Sequence, residues 1–466
     1  MNADERGSMN HLSSETFKEN ARAALADVHL RGALKNATTL FGERRKEAAA
    51  SLPNWEDLRS QARAIKDEAL LHLDRYLEEF VRNAESRGAL VHWARDGAEA
   101  NTIICTLAKD RGARTVVKSK SMTTEETHLN DALEAAGMQV VETDLGEYII
   151  QLAEETPSHI IAPAIHKTRG QIAELFTAEL GMPPTDDVAQ LTSTARATLR
   201  DRFAAADVGI SGVNFGIAES GTIVIVENEG NIRLTTSLPR MHIAVMGIEK
   251  VVPSFADLDV FLKLLPRSGT GQRLTTYQSF ITGTKRRATD EGPDELHIVL
   301  LDNGRSRMLA HPVTRQSLAC IRCGACLNAC PVYQQIGGHA YGSVYPGPIG
   351  AVITPQLMGI EKTAQLPYAS SLCGACREVC PVKIDIPRLL LHLRGEITAQ
   401  RKGNTAERLA FKLWARVMMS KSLYKMSAVV GRLLQHVVPI SRAWTSGRDL
   451  RPIESRSFHD RWKTLG

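Results

Sequence analysis

The sequence predicts an α/β domain with a parallel sheet, followed by an all-helical, cysteine-rich domain, with helical regions at both ends. Three observations carry this. Between residues 85 and 304, short apolar runs alternate with helical stretches, as expected of a parallel sheet covered on both faces. After about residue 305 the strand-like runs stop, and seven of the eight cysteines fall between Cys320 and Cys380. Before residue 85, apolar side chains recur at three- and four-residue steps, as in Tyr76, Leu77, Phe80 and Val81. The segments are 1–84 (helical), 85–304 (α/β), 305–400 (helical, cysteine-rich) and 401–466 (basic helical tail).

Within 85–304 the elements read in order. Ala89–Trp93 is a strand, 98–109 a helix and Thr115–Lys118 a strand. A helix start follows at Thr124. Gln139–Glu142 and His159–Ala162 are further strands, and 168–180 and 187–206 further helices. Gly221–Val226 runs as a strand into the turn at 227–231, and Ile232–Thr236 returns as another strand. His242–Met246 is a strand, 255–265 an amphipathic helix, and His297–Leu301 the closing strand. In the tail, stripes such as Leu409, Leu413, Val417 and Met426, Val429, Val430, Leu433 predict helices.

Composition bounds the function. The chain has 466 residues, 57 Lys+Arg and 52 Asp+Glu, for a net charge of +5, and 43% of it is hydrophobic. That excludes wholesale disorder and a small disulfide scaffold. The tail 401–466 balances at +10 and the remaining 400 residues at −5. No aromatic-interleaved platform accompanies the basic tail, so nucleic-acid binding is not expected. Its readings are a solvated helical cap, a dock for an acidic partner protein, or peripheral contact with anionic lipid. The N-terminus has early acids and no secretory core, and no run of about 18 apolar residues appears. A cytoplasmic protein with reduced thiols is therefore the expectation.

Chemistry concentrates in two motifs. The first is Cys320-x2-Cys323-x2-Cys326-x3-Cys330-Pro331, the second Cys373-x2-Cys376-x3-Cys380-Pro381. Three cysteines three residues apart can wrap one face of an iron–sulfur cubane, while the cysteine before proline ligates the other cluster. By that logic Cys320, Cys323, Cys326 and Cys380 hold cluster one, and Cys330, Cys373 and Cys376 hold cluster two. The position that should supply the eighth ligand is Ser370. Either serine, another side chain or water completes a second 4Fe–4S cluster, or the site holds 3Fe–4S. A zinc site would need four ligands and leave three cysteines unexplained. Cys105, in an apolar run, reads as an inert buried thiol. The 42-residue spacer between Cys330 and Cys373 favours the all-helical, two-cluster ferredoxin type. Within it, His339, Tyr341 and Tyr345 either line an electron-entry or quinone site or pack the loop over the clusters.

These cysteine runs, the loop Gly337-Gly-His-Ala-Tyr-Gly342, and the segments Asn214-Phe-Gly-Ile-Ala-Glu-Ser-Gly-Thr222 and Glu227-Asn-Glu-Gly-Asn231 resemble the iron–sulfur component, the B protein, of the bacterial L-lactate utilisation system. The resemblance spans nearly the whole chain. It implies an electron-transfer role in oxidation of L-lactate to pyruvate, beside two partners of that system, the cysteine-rich A protein and the small C protein. It also implies a sheet like that of sugar-phosphate isomerases and CoA transferases, and that the Ser370 gap belongs to the family pattern. A quinone-linked or membrane-peripheral acceptor is compatible with it.

The α/β domain raises a second reading, a transferase- or isomerase-like enzyme whose clusters are structural or regulatory. Glu219, in a Ser/Gly turn, suits a ligand-contacting carboxylate. Lys118, Lys120, His166, Lys167 and Arg169 lie near predicted strand ends, where cations and helix N-termini could hold a small carboxylate such as lactate. The alternative is a solvated rim around a vestigial pocket. No GxGxxG follows a strand and no P-loop occurs, which disfavours nicotinamide and nucleotide-hydrolysing enzymes. No catalytic residue is assigned.

Overall fold

The computed structural model describes residues 13–285, 287, 289–400, 405–435 and 452–463. Residues Met1–Ile397 form one compact unit and Thr398–Gly466 a second.

In the first unit, six parallel strands make the main sheet. They are β1 (Leu90–Ala94), β2 (Thr115–Lys118), β3 (Gln139–Glu142), β4 (Val208–Gly212), β7 (Met241–Gly247) and β10 (Glu295–Leu301), in the order β1-β10-β7-β4-β2-β3. The apolar alternation dictates the two faces. Ile243, Val245, Val299 and Leu301 pack with Ile104 and Leu133 from the helices Gly97–Asp110 and Leu129–Ala135. Their neighbours Ala244, Met246, Ile298 and Leu300 pack with Leu73, Leu77 and Phe80 of the helix Leu73–Ser86 on the other side. β2 is followed by β3 on one flank and β4 on the other, so the chain changes direction at β2 and β4. Such a switch point opens a crevice at the carboxyl ends of the strands.

A smaller sheet, β8-β5-β6-β9, is built from β5 (Phe215–Ile217), β6 (Thr222–Glu227), β8 (Val251–Val252) and β9 (Tyr277–Ile281). Its Phe215, Ile217 and Val224 share one core with Leu34 and Leu58 of the N-terminal helices, Phe261 and Leu264 of the helix Phe255–Gly269, and Leu327, Tyr333, Ile349 and Leu389 of the cysteine-rich segment. The described residues after β10 form helices and turns without strands. The second unit contains the helices Thr405–Met419 and Lys421–Leu434, with Leu409, Leu413, Met426, Val429 and Leu433 exposed. No helix among the described residues is long and apolar enough to cross a membrane.

Two predicted strands take other forms. Ile232–Thr236 lies in a helix, Asn231–Ser237. Glu227 accepts the N–H groups of Ile232 and Arg233 at 2.7 and 3.0 Å, satisfying the orphan donors that open a helix. His159–Ala162 is a bend rather than a strand. The His159 ring takes over the backbone, its Nδ1 accepting from Ile161 and Ala162 at 3.0 and 3.2 Å. Strands β4, β5, β8 and β9 were not among the sequence expectations: β5 and β8 are very short, β4 carries two glycines, and β9 is only partly buried, with Gln278 and Ser279 among its five residues.

Candidate functional site

The seven clustered cysteines sit on two similar turns. In the first, Arg322 and Gly324 adopt φ of 60° and 71° before the short helix Ala325–Asn328. Fifty residues on, Leu372 and Gly374 adopt 56° and 88° before the helix Ala375–Val379. The left-handed glycines let each loop fold back beneath its thiols. The N–H of Arg322 points to Cys320 Sγ at 3.4 Å, and that of Leu372 to Ser370 Oγ at 3.1 Å. Ser370 thus stands where the first turn has Cys320, with the same backbone donor on its side-chain oxygen.

All seven thiols are free of disulfides. Cys320, Cys323, Cys326 and Cys380 line one cavity, whose wall also includes Ile160, Arg322, Ile349 and Pro381. Burial, then the charges of Cys380 and Cys320, pushes the Cys323 thiol up. Burial, then Cys320, Cys323 and Cys380, does the same to Cys326. Burial lifts Cys380 to about 11. The other three thiols form their own group: burial, then Cys330 and Cys373, raises Cys376 to about 12. Cys373 is exposed, and the N–H of Ala375, with Ser371, lowers its thiol.

Three buried thiols, Cys323, Cys326 and Cys380, whose ionisation burial and neighbouring sulfurs oppose, with half-buried Cys320 beside them, fit a cationic metal core, which replaces their protons. Backbone donors support thiolate charge, with Tyr333 N to Cys330 Sγ at 3.5 Å and Ile384 N to Cys380 Sγ at 3.3 Å. The turn before Pro381 is clamped from the N-terminal helices. Arg59 donates from Nε and Nη2 to Cys380 O at 3.1 and 2.8 Å, and Arg45 Nη2 to Val379 O at 3.0 Å. Sequence periodicity marks this region as packing helices and assigns no role to these two arginines.

A second cavity, of about 290 Å³, opens at the switch point of the main sheet. It is lined by Lys120 after β2, Gly212 at the end of β4 and Asn214 after it, and Lys250 after β7, and it shares Ile160 and Arg322 with the cysteine cavity. Of the five cations anticipated near strand ends, Lys120 alone lines it. Lys118 is fully buried and bonded to Glu142 and Glu125 at 2.7 and 3.0 Å. Against the cost of burial, those carboxylates hold its ammonium above the usual range. His166 and Lys167 both pair with Glu155, and Arg169 pairs with Asp186 at the surface. Glu219 does not face the cavity either: its Oε1 accepts the N–H of Phe255 at 2.7 Å, capping the helix Phe255–Gly269.

Beside both cavities lies a buried ionic network that no sequence motif signals. Arg305 donates to Glu249 at 2.6 Å and, through both Nη atoms, to Glu126 at 2.8 and 2.9 Å. Tyr345 also donates to Glu126, at 2.7 Å, and stacks under the Arg322 guanidinium. Lys66 reaches Glu249 O at 2.5 Å. Tyr341 is fully buried among the cysteines and aromatic rings, and His339 bonds to Thr156 O at 2.6 Å. All three loop residues pack against neighbours.

Family models match in chain order: a LUD domain over 77–301, a 4Fe–4S dicluster domain over 316–384, and the C-terminal domain of lactate utilisation protein B over 392–466. Lactate utilization protein B of Bacillus subtilis is 45% identical over 419 residues, covering 90% of this chain and 87% of that protein. That of Anoxybacillus flavithermus is 43% identical over 471 residues, 98% of this chain and 99% of the other. The chain belongs to the lactate utilization protein B family. Among solved structures, a DUF162 family protein from Deinococcus radiodurans aligns with a TM-score of 0.27 at 14% identity, over 49% of this chain and 98% of that one. The family's 4Fe–4S segment contains all seven clustered cysteines, and its LUD segment contains the switch-point cavity apart from Arg322.

Proposed function

We propose that this chain is a cytoplasmic iron–sulfur electron-transfer component in the oxidation of L-lactate to pyruvate, working beside the cysteine-rich A protein and the small C protein of a lactate utilisation system. The observation that carries the reading is the partition of seven reduced cysteines into a group of four around one cavity and a second group of three, in a chain that matches lactate utilization protein B along its length. In this reading Cys320, Cys323, Cys326 and Cys380 hold the first 4Fe–4S cluster. Cys330, Cys373 and Cys376 hold the second, with Ser370 or water at its remaining position. Residues 305–400 then act as a helical two-cluster ferredoxin domain behind the α/β domain 85–304. Oxidation of lactate to pyruvate releases two electrons, and a four-iron cluster carries one at a time. Two clusters can hold the pair before passing it to an acceptor, and the exposed Cys373 makes the second cluster the exit.

The test is metal analysis and electron paramagnetic resonance on the full chain, purified without oxygen. Two iron–sulfur signals are expected, with Cys380→Ser disturbing the same signal as Cys323→Ser, and Cys330→Ser the other. One zinc and no iron would overturn the proposal. The transferase- or isomerase-like alternative loses its leading carboxylate, because Glu219 is occupied as a helix cap.

A further inference from the structure

The cavity at the switch point holds a cation without a partner among the described residues. Lys250 is 8% exposed, and its ammonium has no hydrogen-bond or ion-pair acceptor there. Its buried neighbours are engaged: Lys66 on Glu249 O, Arg305 on Glu249 and Glu126. Arg322 keeps one buried N–H group, at Nη1, without an acceptor. Glu249 acts on the Lys250 ammonium only through space, and an ammonium held out of bulk water is costly unless an anion contacts it. The acids that line the cavity, Asp144, Glu227 and Glu229, form no ion pair with Lys250 among the described residues and accept backbone N–H groups instead. Glu227 receives Ile232 and Arg233, Glu229 receives Leu145, and Asp144 receives Glu147. Half-buried Lys120 adds a second cation at the mouth. Asn214 accepts Val226 N–H at 3.0 Å through its side-chain oxygen, which leaves its amide N–H2 to donate into the cavity.

We infer that this cavity binds a short organic carboxylate bearing a hydroxyl or keto oxygen on its second carbon, with the carboxylate on Lys250 and Lys120 and the second oxygen at Asn214. Arg322 and Ile160 form the wall between this ligand and the four-cysteine cavity. The ligand therefore sits one side chain from the first cluster, and the substrate site lies in this chain. The volume of about 290 Å³ accommodates a molecule of this size. The inference deepens the electron-transfer reading and rests on it for its redox meaning, while binding itself rests on the cavity.

The experiment is anaerobic calorimetry on the full chain with clusters loaded, using L-lactate, pyruvate, neutral methyl lactate and sulfate as probes. Lactate and pyruvate are expected to bind, methyl lactate and sulfate to bind at least about tenfold more weakly. Lys250→Met should weaken pyruvate about tenfold or more, the scale of a lost charge-assisted hydrogen bond. Pyruvate should also perturb the resonance of one reduced cluster in the native chain and leave it unchanged in the variant. If Lys250→Met fails to load clusters, Lys120→Gln at the mouth carries the test, with a smaller loss of affinity expected. Equal binding of sulfate and pyruvate, no binding of either acid, or native-like affinity in the tested variant overturns the inference. Carboxylate binding by a chain that carries no iron would instead refute the electron-transfer reading and leave the site standing.

Discussion

Replacing Arg305 by methionine tests whether the buried network holds the cavities together. Arg305 is 1% exposed, and its guanidinium makes three bonds of 2.6 to 2.9 Å to two carboxylates. Without it, Glu126 keeps Tyr345 and Asn303, at 2.7 and 2.6 Å. Glu249 keeps only Arg322, at 3.5 Å, as an ion-pair partner among the described residues. Against burial, which would raise it, Arg305, then Lys250 and Arg322, hold the Glu249 carboxyl at about 2, from an ordinary 4.5. At 1.36 kcal/mol per pH unit that depression contributes about 3 kcal/mol of stability. Because the folded value is lowered, the contribution is full above about pH 4.5 and fades as pH falls towards 2. Stripping one partner from a buried pair costs about 3–5 kcal/mol, which agrees. With a urea slope of about 3 kcal/mol per molar, Arg305→Met should lower the unfolding midpoint at pH 7 by about 1 M or more. Anaerobic urea titration followed by tryptophan fluorescence measures this. Adding Glu249→Gln to that variant should recover part of the loss, since the stranded charge is removed with its partner. A midpoint within about 0.3 M of the native chain, or no recovery in the double variant, would refute the reasoning.

Other substitutions separate the remaining roles. Ser370→Cys places a thiol where the first turn has Cys320, so the second cluster should hold its iron longer in air, read as slower decay of the absorbance near 400 nm. Lys118→Met strands Glu142 and Glu125 and should cost about 3–5 kcal/mol in urea unfolding, yet leave pyruvate affinity within about twofold, because Lys118 does not line the cavity. Glu219→Ala removes one helix cap and should cost about 1 kcal/mol, again without changing pyruvate affinity. Lys66→Met removes a buried positive charge felt by Cys320, so the first cluster's reduction potential should fall by an amount on the order of 1–2 kcal/mol per electron, measured by redox titration.

The sequence is most legible where chemistry is local. Cysteine spacing, the Cys-Pro endings and the register that puts Ser370 opposite Cys320 are visible as strings, because a turn of a few residues places all its donors. Strands β2 and β3 were legible to the residue, since each is an apolar run between polar turns. What failed depends on partners far along the chain. Ile232–Thr236 looks like a strand until Glu227 caps it as a helix. Lys118 looks like a free cation until Glu142, on the neighbouring strand, neutralises it. Glu219 sits in a suggestive turn, but Phe255 claims its carboxylate. Arg59 and Lys66 fall on an otherwise amphipathic helix, and nothing local says that one clamps Cys380 and the other supports Glu249. Arg322 stands in plain view inside the first motif, but its role appears only when both cavities are seen to share it.

Charge balance ties these parts together. At the junction of the sheet and the cysteine turns, buried Lys66, Lys250 and Arg305 and partly buried Arg322 have only Glu126 and Glu249 as close carboxylate partners among the described residues. A surplus of buried cations is unstable by itself, and the acids lining the adjoining cavity, Asp144, Glu227 and Glu229, form no ion pair with these four among the described residues. In the proposed reading, a four-iron cluster on four thiolates would supply part of the missing negative charge, and more of it once reduced. An organic carboxylate on Lys250 supplies the rest. Each anion therefore screens the cations that the other uses, so a bound acid should make the first cluster harder to reduce, and by reciprocity a reduced cluster should weaken the acid's hold. For an oxidising protein that coupling has a useful direction: electrons arriving on the cluster loosen the carboxylate product beside it.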